Sequence, residues 1–356
     1  MKILHSADWH LDAPMTGKNE EQARFLRQEL RKVPEKVAAL AKQEQCDLML
    51  LAGDLFDGEY TQDSFREVYN ALKDAEIPVF IAPGNHDFCQ PGSPYLREIW
   101  PNNVHIFTHP VMESAEIPGL DCTVYGAGYQ AMDCPALLEN FRAEGQSKWH
   151  IGVLHGDATN ASSPYCPVNP QQVRLSGLRY LALGHIHKTG SFRRGDALCA
   201  WPGCPMGHGY DETGEKGVLL ITLGEEMKAE FRPLDTPRFY DESVDVGTDA
   251  AAALASLLPG VATEDFYRIT LTGYADEVDT DGLASQFAHI RNLILRDKTV
   301  PEKQLWSAVG QDSLEGMYFS LLHDGLETDS EVLRQRLRLA AQISRQILDG
   351  QEVVLP

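Results

Sequence analysis

Short apolar runs recur through the first 235 or so residues, separated by stretches whose apolar positions return every three or four residues. The runs at 2–7, 48–52, 79–82, 104–107, 123–126, 150–154 and 180–183 are short and mostly Val-, Ile- and Leu-rich, and they predict buried strands. The spaced stretches predict helices at 20–45, 61–75 and 135–144. Pro34 falls inside the first of these and should kink or divide it, because proline removes a helical hydrogen bond and its ring clashes with the preceding turn. Strands alternating with helices predict an α/β layer fold. Beyond residue 187 the pattern is strand only, at 190–193, 198–201, 217–223 and 228–233, and predicts a second, largely antiparallel sheet. The expected architecture is a two-sheet α/β/β/α sandwich followed by a small C-terminal α+β capping and helical region.

The character of the chain changes after Pro237. Residues 238–356 hold 20 acidic against 10 basic side chains. Here 266–272 predicts a strand, and 250–258, 283–295 and 329–348 predict helices. The division expected is a catalytic domain at 1–237 and a capping and helical domain at 238–356. In the last helix Leu333, Leu337, Ala340, Ile343 and Ile347 make an apolar stripe, and Arg334, Arg338 and Arg345 make a basic row. Two readings stand open. The row docks an acidic partner helix or a DNA backbone, or the stripe packs on its own domain while the arginines neutralise nearby acids.

Composition narrows the function. An apolar content of 43% over 356 residues is enough for a sizeable core. No run of about 18 apolar residues suggests a membrane span. The opening MKILHSADWH does not read as a secretory signal, so a cytoplasmic location is expected. Seven cysteines, an odd number without a CxxC pair, suit reduced thiols better than a disulfide framework. The net charge of −21 repels polyanions and argues against a stand-alone, tight nucleic-acid binder. It leaves room for an enzyme whose metal ions supply positive charge locally, or for a subunit whose partner holds the DNA.

Five short motifs carry the candidate chemistry: Asp8 and His10 in DWH, Asp54 in GDLFD, Asn85 in GNHD, His155 in LHG, and His185 with His187 in GHIH. Each follows an apolar run, and the carboxyl ends of strands form the ligand crevice of open α/β sheets. Carboxylate and imidazole suit divalent ions such as Mn, Fe or Zn, and no thiol joins the set. Alternate residues of an extended chain point the same way, so Asp8 and His10 can reach one ion together. A carboxylate such as Asp54 can bridge two ions roughly 3.5–4 Å apart, the spacing used for phosphoryl displacement. A bridging hydroxide is then the expected nucleophile. Taken singly, each motif reads as a turn, a strand end or a packed histidine; five in order do not.

This ordered set resembles the calcineurin-like metallophosphoesterase superfamily over roughly residues 1–235. The resemblance implies one ion on Asp8, His10, Asp54 and His187, and another on Asp54, Asn85, His155 and His185. It implies that His86 assists catalysis from outside the metal shell. The opening HSADWHLDAP, and Pro202 to Pro205 followed by Glu212, Gly214 and Lys216 to Val218, are similar to the SbcD/YhaO-like DNA-repair exonuclease group. That resemblance implies two divalent ions, Mn foremost with Fe, Zn or Mg as alternatives. It also implies DNA as substrate and an SbcC/YhaN-like coiled-coil ATPase as partner, with a homodimer as a further assembly.

Among neighbouring residues, Asp57 and Asp87 are expected to orient turns or imidazoles rather than bind metal. His5, Trp9 and Phe56 are expected to be packed, although Trp9 could stack on a base. His208 in GHGYDE either faces the site or is structural, and Arg193 and Arg194 fit a solvated turn better than a phosphate contact. A small-substrate phosphodiesterase or phosphatase, acting for instance on nucleotides, is the competing function, and a catalytically dead scaffold the third. A basic channel to the metals would favour the nuclease, and a closed narrow pocket the small-substrate enzyme.

Overall fold

A computed structural model gives the arrangement of residues 1–350, which divide into two compact units between Arg238 and Phe239. In the first unit the strands are β1 (Lys2–Ser6), β2 (Leu48–Leu51), β3 (Val79–Ile81), β4 (Val104–Ile106), β5 (Glu113–Ile117) and β6 (Cys122–Gly126). They continue with β7 (Trp149–His155), β8 (Tyr180–Gly184), β9 (Gly190–Arg194), β10 (Ala197–Trp201), β11 (Gly217–Thr222) and β12 (Lys228–Pro233). One sheet runs β12-β11-β1-β2-β3-β4 and the other β5-β6-β7-β8-β10-β9. Strands β1 to β4 are mutually parallel, as are β6, β7, β8 and β10; the remaining strands join antiparallel.

All four residues of β2 are buried, and so are four of five in β1. A strand buried on both faces needs a cover on each side. One cover is the other sheet. Ile3, Leu50, Phe80 and Phe107 pack against Val124, Ile151, Val153 and Tyr180 in one shared core. The sheets come so close that a Cβ on Gly126 would stand 2.2 Å from the Phe107 ring. The outer face of the second sheet buries Leu154, Leu181, Leu183 and Trp201 with Leu138, Val168 and Val173.

Helices α1 (Glu20–Arg31), α2 (Val33–Gln43) and α3 (Gln62–Asp74) stand in the β1–β2 and β2–β3 connections, and two short ones follow, α4 (Pro94–Arg97) and α5 (Pro170–Leu175). Pro34 divides the first predicted helix as expected: it sits in the first turn of α2, where a missing N–H costs nothing. Thr61 caps α3 by accepting the Ser64 N–H. The Asp12 carboxylate accepts from Thr61 N at 2.8 Å and Ser64 Oγ at 2.8 Å, tying the DWHLDAP loop to that helix start.

Three expectations are corrected. Residues 190–233 do not make a sheet of their own: β9 and β10 extend the second sheet, while β11 and β12 extend the first. Strand β11 is buried at its first five residues and therefore needs neighbours on both edges, which β1 and β12 supply. The helix expected at 135–144 is absent; Asn140 adopts φ 61° and interrupts helical geometry. The helix expected at 283–295 is a short helix followed by a strand.

The second unit reads β13 (Phe239–Asp245), α6 (Ala250–Leu257), β14 (Thr263–Thr272), α7 (Thr280–Gln286), β15 (Ile290–Asp297), α8 (Glu302–Leu305), α9 (Leu314–Asp324) and α10 (Glu331–Leu348). Its three strands are parallel in the order β13-β14-β15. Ile290 and Asn292 are buried on alternate positions of β15, the strand period that an Ile- and Leu-rich run conceals. On α10 the buried residues are Ala341 and Gln342, and the expected stripe lies half outside, with Leu333 and Ile347 exposed. Two of the arginines, Arg338 and Arg345, turn inward. Arg338 pairs with Glu302 at 2.9 Å, Arg345 pairs with Glu315 at 2.7 Å and lies over the Phe319 ring, and Arg334 pairs with Glu331 of its own helix. The arginine pairs are those the neutralising reading expects, while the stripe is only partly packed.

Ile151 is fully buried between the sheets, whereas Ile99 is 85% exposed. Ile151→Ala should cost about 2–5 kcal/mol through lost burial and the cavity left behind. The same change at Ile99 should stay within about 0.5 kcal/mol. Urea unfolding of the two variants reads the difference, and equal costs would contradict this placement of the core.

Candidate metal centre

The parallel strands β1, β2 and β3 end at the same edge of their sheet, and β7 and β8 end at the facing edge of theirs. The five motifs lie at those ends. Asp8 and His10 follow β1, Asp54 follows β2, Asn85 follows β3, His155 closes β7, and His185 and His187 follow β8. The loops are zipped together by backbone bonds from Asp8 N to Gly53 O at 3.0 Å and His10 N to Asp54 O at 2.9 Å. Asp8, His10, Asp54 and His185 all adopt positive φ, of 55°, 47°, 51° and 86°. Such backbone is costly for non-glycine residues and persists where surrounding contacts enforce it. Gly84 is required by proximity: a Cβ there would stand 2.2 Å from Asp54 Oδ1.

Asp87 does much of that enforcing. Its buried carboxylate accepts from Gly84 N at 2.8 Å, Leu55 N at 2.7 Å and Tyr95 Oη at 2.6 Å, with a longer contact to Asp54 N at 3.3 Å. It organises the GDLFD turn through these donors. Asp57 acts on imidazoles instead: its Oδ1 meets His10 Nδ1 at 3.2 Å and His86 Nδ1 at 2.7 Å. A carboxylate only accepts, so both Nδ1 atoms carry their hydrogens and both Nε2 atoms are left as the free positions.

Acceptors then face one another. His187 Nδ1 bonds Glu212, so its Nε2 is also a free position, and it stands 3.1 Å from His10 Nε2. His155 Nδ1 donates to Ala52 O at 2.9 Å, which turns its Nε2 toward Asn85 Oδ1 at 2.8 Å and Asp54 Oδ2 at 3.3 Å. The same Asp54 Oδ2 lies 3.7 Å from His10 Nε2, while Oδ1 takes the His86 N–H at 2.9 Å. His185 Nδ1 approaches Asn85 Oδ1 at 3.3 Å. Asp8 Oδ1 accepts from His185 N at 2.9 Å, and among the described residues its buried Oδ2 has no partner. Potential ligand atoms converge from two sides of Asp54, and the oxygen and imidazole set fits divalent cations. Two groups of these atoms, Asp8/His10/His187 and Asp8/Asp54/His155, each gather within 4.8 Å.

The charges respond in kind. Burial disfavours a cation on His155, but the Asp54 carboxylate outweighs it and pushes the pKa up to about 10. Burial likewise disfavours ionised Asp54, yet His155 and His10 hold it well below the usual carboxylate range. Burial and the charge on His155 bring His185 down to about 4. Hydrogen bonding to Asp57 raises His86, whose side chain is 44% exposed. His86 also lies within reach of His10 and Asp54. A proton on His155 occupies part of the space that the acceptors reserve for a cation.

The remaining residues sort clearly. Trp9 is fully buried, donates to Ser6 Oγ at 2.8 Å and is closed to any base; Phe56 is equally buried. His5 is buried against Tyr180 Oη at 2.7 Å. Arg193 donates to Met227 O rather than facing the ligand cluster. His208 packs edge-on to His10, with ring centroids 5.8 Å apart. Sequence reading missed the role of Glu212, which bonds both His187 and His208. Its four-residue spacing from His208 and its place in the signature that begins at Pro202 were the available signals. Tyr165, whose ring is tilted 38° against His185 with centroids 4.7 Å apart, was also missed.

Two sheets whose facing strand ends present a shared carboxylate between imidazoles and an amide define the metallophosphoesterase class. The chain belongs to the calcineurin-like phosphoesterase family, whose model matches residues 1–189. The chain is similar to SbcD/YhaO-like proteins, of which it spans 63–70% of the length. It is 32% identical over 264 residues to the metallophosphoesterase YhaO of Bacillus subtilis, covering 69% of this chain and 63% of that protein. It is 26% identical over 276 residues to SbcD, the D component of the SbcCD nuclease, of Bacillus subtilis, covering 64% of this chain and 68% of that one. To SbcD of Staphylococcus epidermidis it is 24% identical over 272 residues, covering 66% and 70%.

Asp87→Asn replaces a charged acceptor of several buried donors with an amide that turns a donor toward some of them. Hydrogen bonds to charged groups contribute about 1.5–3 kcal/mol, so the first unit should lose at least that much stability. Thermal or denaturant unfolding of the metal-free variant reads it, and an unchanged midpoint would remove the organising role.

Proposed function

We propose that this chain hydrolyses phosphodiesters with two divalent ions, Mn foremost. Asp8, His10, Asp54 and His187 hold one, and Asp54, Asn85, His155 and His185 hold the other. The observation that carries the reading is Asp54 Oδ2, which faces both His10 Nε2 and His155 Nε2 and so stands between the two half-sites. Bound there, the ions would supply Lewis acidity and activate water as a nucleophile near neutral pH. The other roles belong to the chain. Burial keeps bulk water from the ligand atoms of Asp8, Asp54 and His155. Asp57 fixes the His86 ring and keeps a proton on its Nδ1, leaving the half-exposed Nε2 edge to a phosphoryl or leaving-group oxygen.

DNA is the favoured substrate. The likeness to the SbcD nuclease proteins runs over 276 aligned residues, well past the stretch matched by the family model. His86 and His187 stand at 44% and 33% exposure, open to a chain-like substrate rather than enclosed. A net charge of −21 favours a partner that holds the DNA, and a coiled-coil ATPase of the kind that completes SbcCD fits that role. Leu314, Met317 and Leu321 offer it an apolar line along α9, all more than half exposed. The acidic surface also supports a second reading, a phosphodiesterase for small substrates such as nucleotides.

The deciding assay sets single-stranded DNA, duplex DNA and bis-p-nitrophenyl phosphate side by side with Mn²⁺. Cleavage of the small diester alone, with or without the ATPase partner, would favour the second reading. Asp54→Asn should lower occupancy of both ions and Asn85→Ala chiefly one, read by elemental analysis; two tightly held ions in the Asp54 variant would remove the bridge. His86→Ala should keep both ions and lose roughly 10²–10⁴-fold in turnover. Without its partner the chain should bind DNA weakly, more so as salt rises.

A further inference from the structure

The two halves of the metal centre differ in what stands behind their imidazoles. On one half, His10 Nδ1 is backed by Asp57 at 3.2 Å and His187 Nδ1 by Glu212, so both rings present Nε2 with a carboxylate at their rear. On the other half, His155 Nδ1 donates to the Ala52 carbonyl at 2.9 Å, and the nearest Asp8 oxygen, at 3.8 Å, is beyond hydrogen-bonding range. His185 spends its Nδ1 on the ligand side, facing Asn85 Oδ1 at 3.3 Å. Asn85 itself is neutral, where Asp8 is a carboxylate.

Glu212 reaches the site from the loop between β10 and β11, and it is firmly held there. Its Oε1 meets His187, while Oε2 accepts the His208 backbone N–H at 2.7 Å and faces His208 Nδ1 at 3.1 Å. The side chain is 12% exposed, so water competes little for it. A carboxylate behind a histidine selects the tautomer, fixes the ring and makes the ligating nitrogen a better donor to a metal.

We propose that Glu212 is a positioning residue that orients His187 and makes the Asp8/His10/His187 half the tighter of the two metal sites, with His208 as the brace that keeps the carboxylate in place. The proposal rests on the ligand assignment above. It adds that the two ions bind unequally and names the residue responsible. Removing the Glu212 charge weakens the ion on His187 and leaves the ion on Asn85, His155 and His185 nearly as it was.

The test is a titration of the metal-stripped full chain with Mn²⁺ alone, followed by calorimetry and by the electron paramagnetic resonance of free Mn²⁺. The wild-type chain should show two steps of unequal affinity. Glu212→Gln should weaken the tighter step by about 10–100-fold, so that the two steps draw together. His208→Ala should shift the same step by less, since it removes one of the contacts that hold the carboxylate. With the small diester, the Mn²⁺ concentration for half activation should rise in both variants, and turnover should recover at saturating Mn²⁺, which a damaged fold would not allow. An unchanged titration in Glu212→Gln, or equal weakening of both steps, would overturn the proposal while the ligand assignment stands. A wild-type chain that takes up fewer than two ions would overturn both. If Glu212→Gln fails to fold, His208→Ala decides: an unaltered tight step refutes the role.

Discussion

Lone pairs that face one another across a buried space are the condition on which the rest of this molecule turns. Two imidazole nitrogens stand 3.1 Å apart at His10 and His187, and a third meets an amide oxygen at His155. Left to themselves, such groups would rotate away or draw in water. They are held because every rear position is occupied: Asp57 behind His10 and His86, Glu212 behind His187, Ala52 O behind His155. Behind those partners stand the buried parallel strands, and under the turns stands Asp87. Left-handed backbone at Asp8, His10, Asp54 and His185 adds a cost of order 1–3 kcal/mol at each position, which only an over-determined surrounding sustains.

How much of this was legible depended on whether a signal was local. Strands β1, β2, β3, β7 and β8 are short, apolar and followed directly by polar residues, so they could be read, and the residues after them are the ones the structure gathers. The role of Asp57 was half visible, because a second carboxylate three residues after Asp54 has few uses other than orienting a neighbour. Glu212 was invisible as a partner of His187: twenty-five positions separate them and no periodicity links them. The run 283–295 misled because Ile, Leu and Arg suit a helix as well as a strand, and only pairing with β14 decides between them. The last helix misled differently. Its apolar stripe was real in the sequence, but Glu302, Glu315 and the Phe319 ring draw Arg338 and Arg345 inward.

The placement of β10 and β11 shows a related limit. Both strands looked alike in the sequence, and they lie in different sheets. A buried strand declares that it has neighbours without declaring which, and the choice rests on contacts with β8, two strands before β10, and with β1, at the start of the chain.

The ligand positions also come from both layers of the sandwich. Asp8, His10, Asp54 and Asn85 belong to strand ends of the first sheet, and His155, His185 and His187 to the second. On the proposed assignment each ion takes ligands from both, so each is a non-covalent rivet through the edge of the sandwich. An ion that binds only the folded chain stabilises it by about 2.7 kcal/mol when free ion is a hundredfold above its dissociation constant. For a chain of marginal stability that is a large share. The stability of the folded first unit would thereby be tied to the supply of metal around it, and scarcity would be felt as looseness between the sheets as well as in slow chemistry.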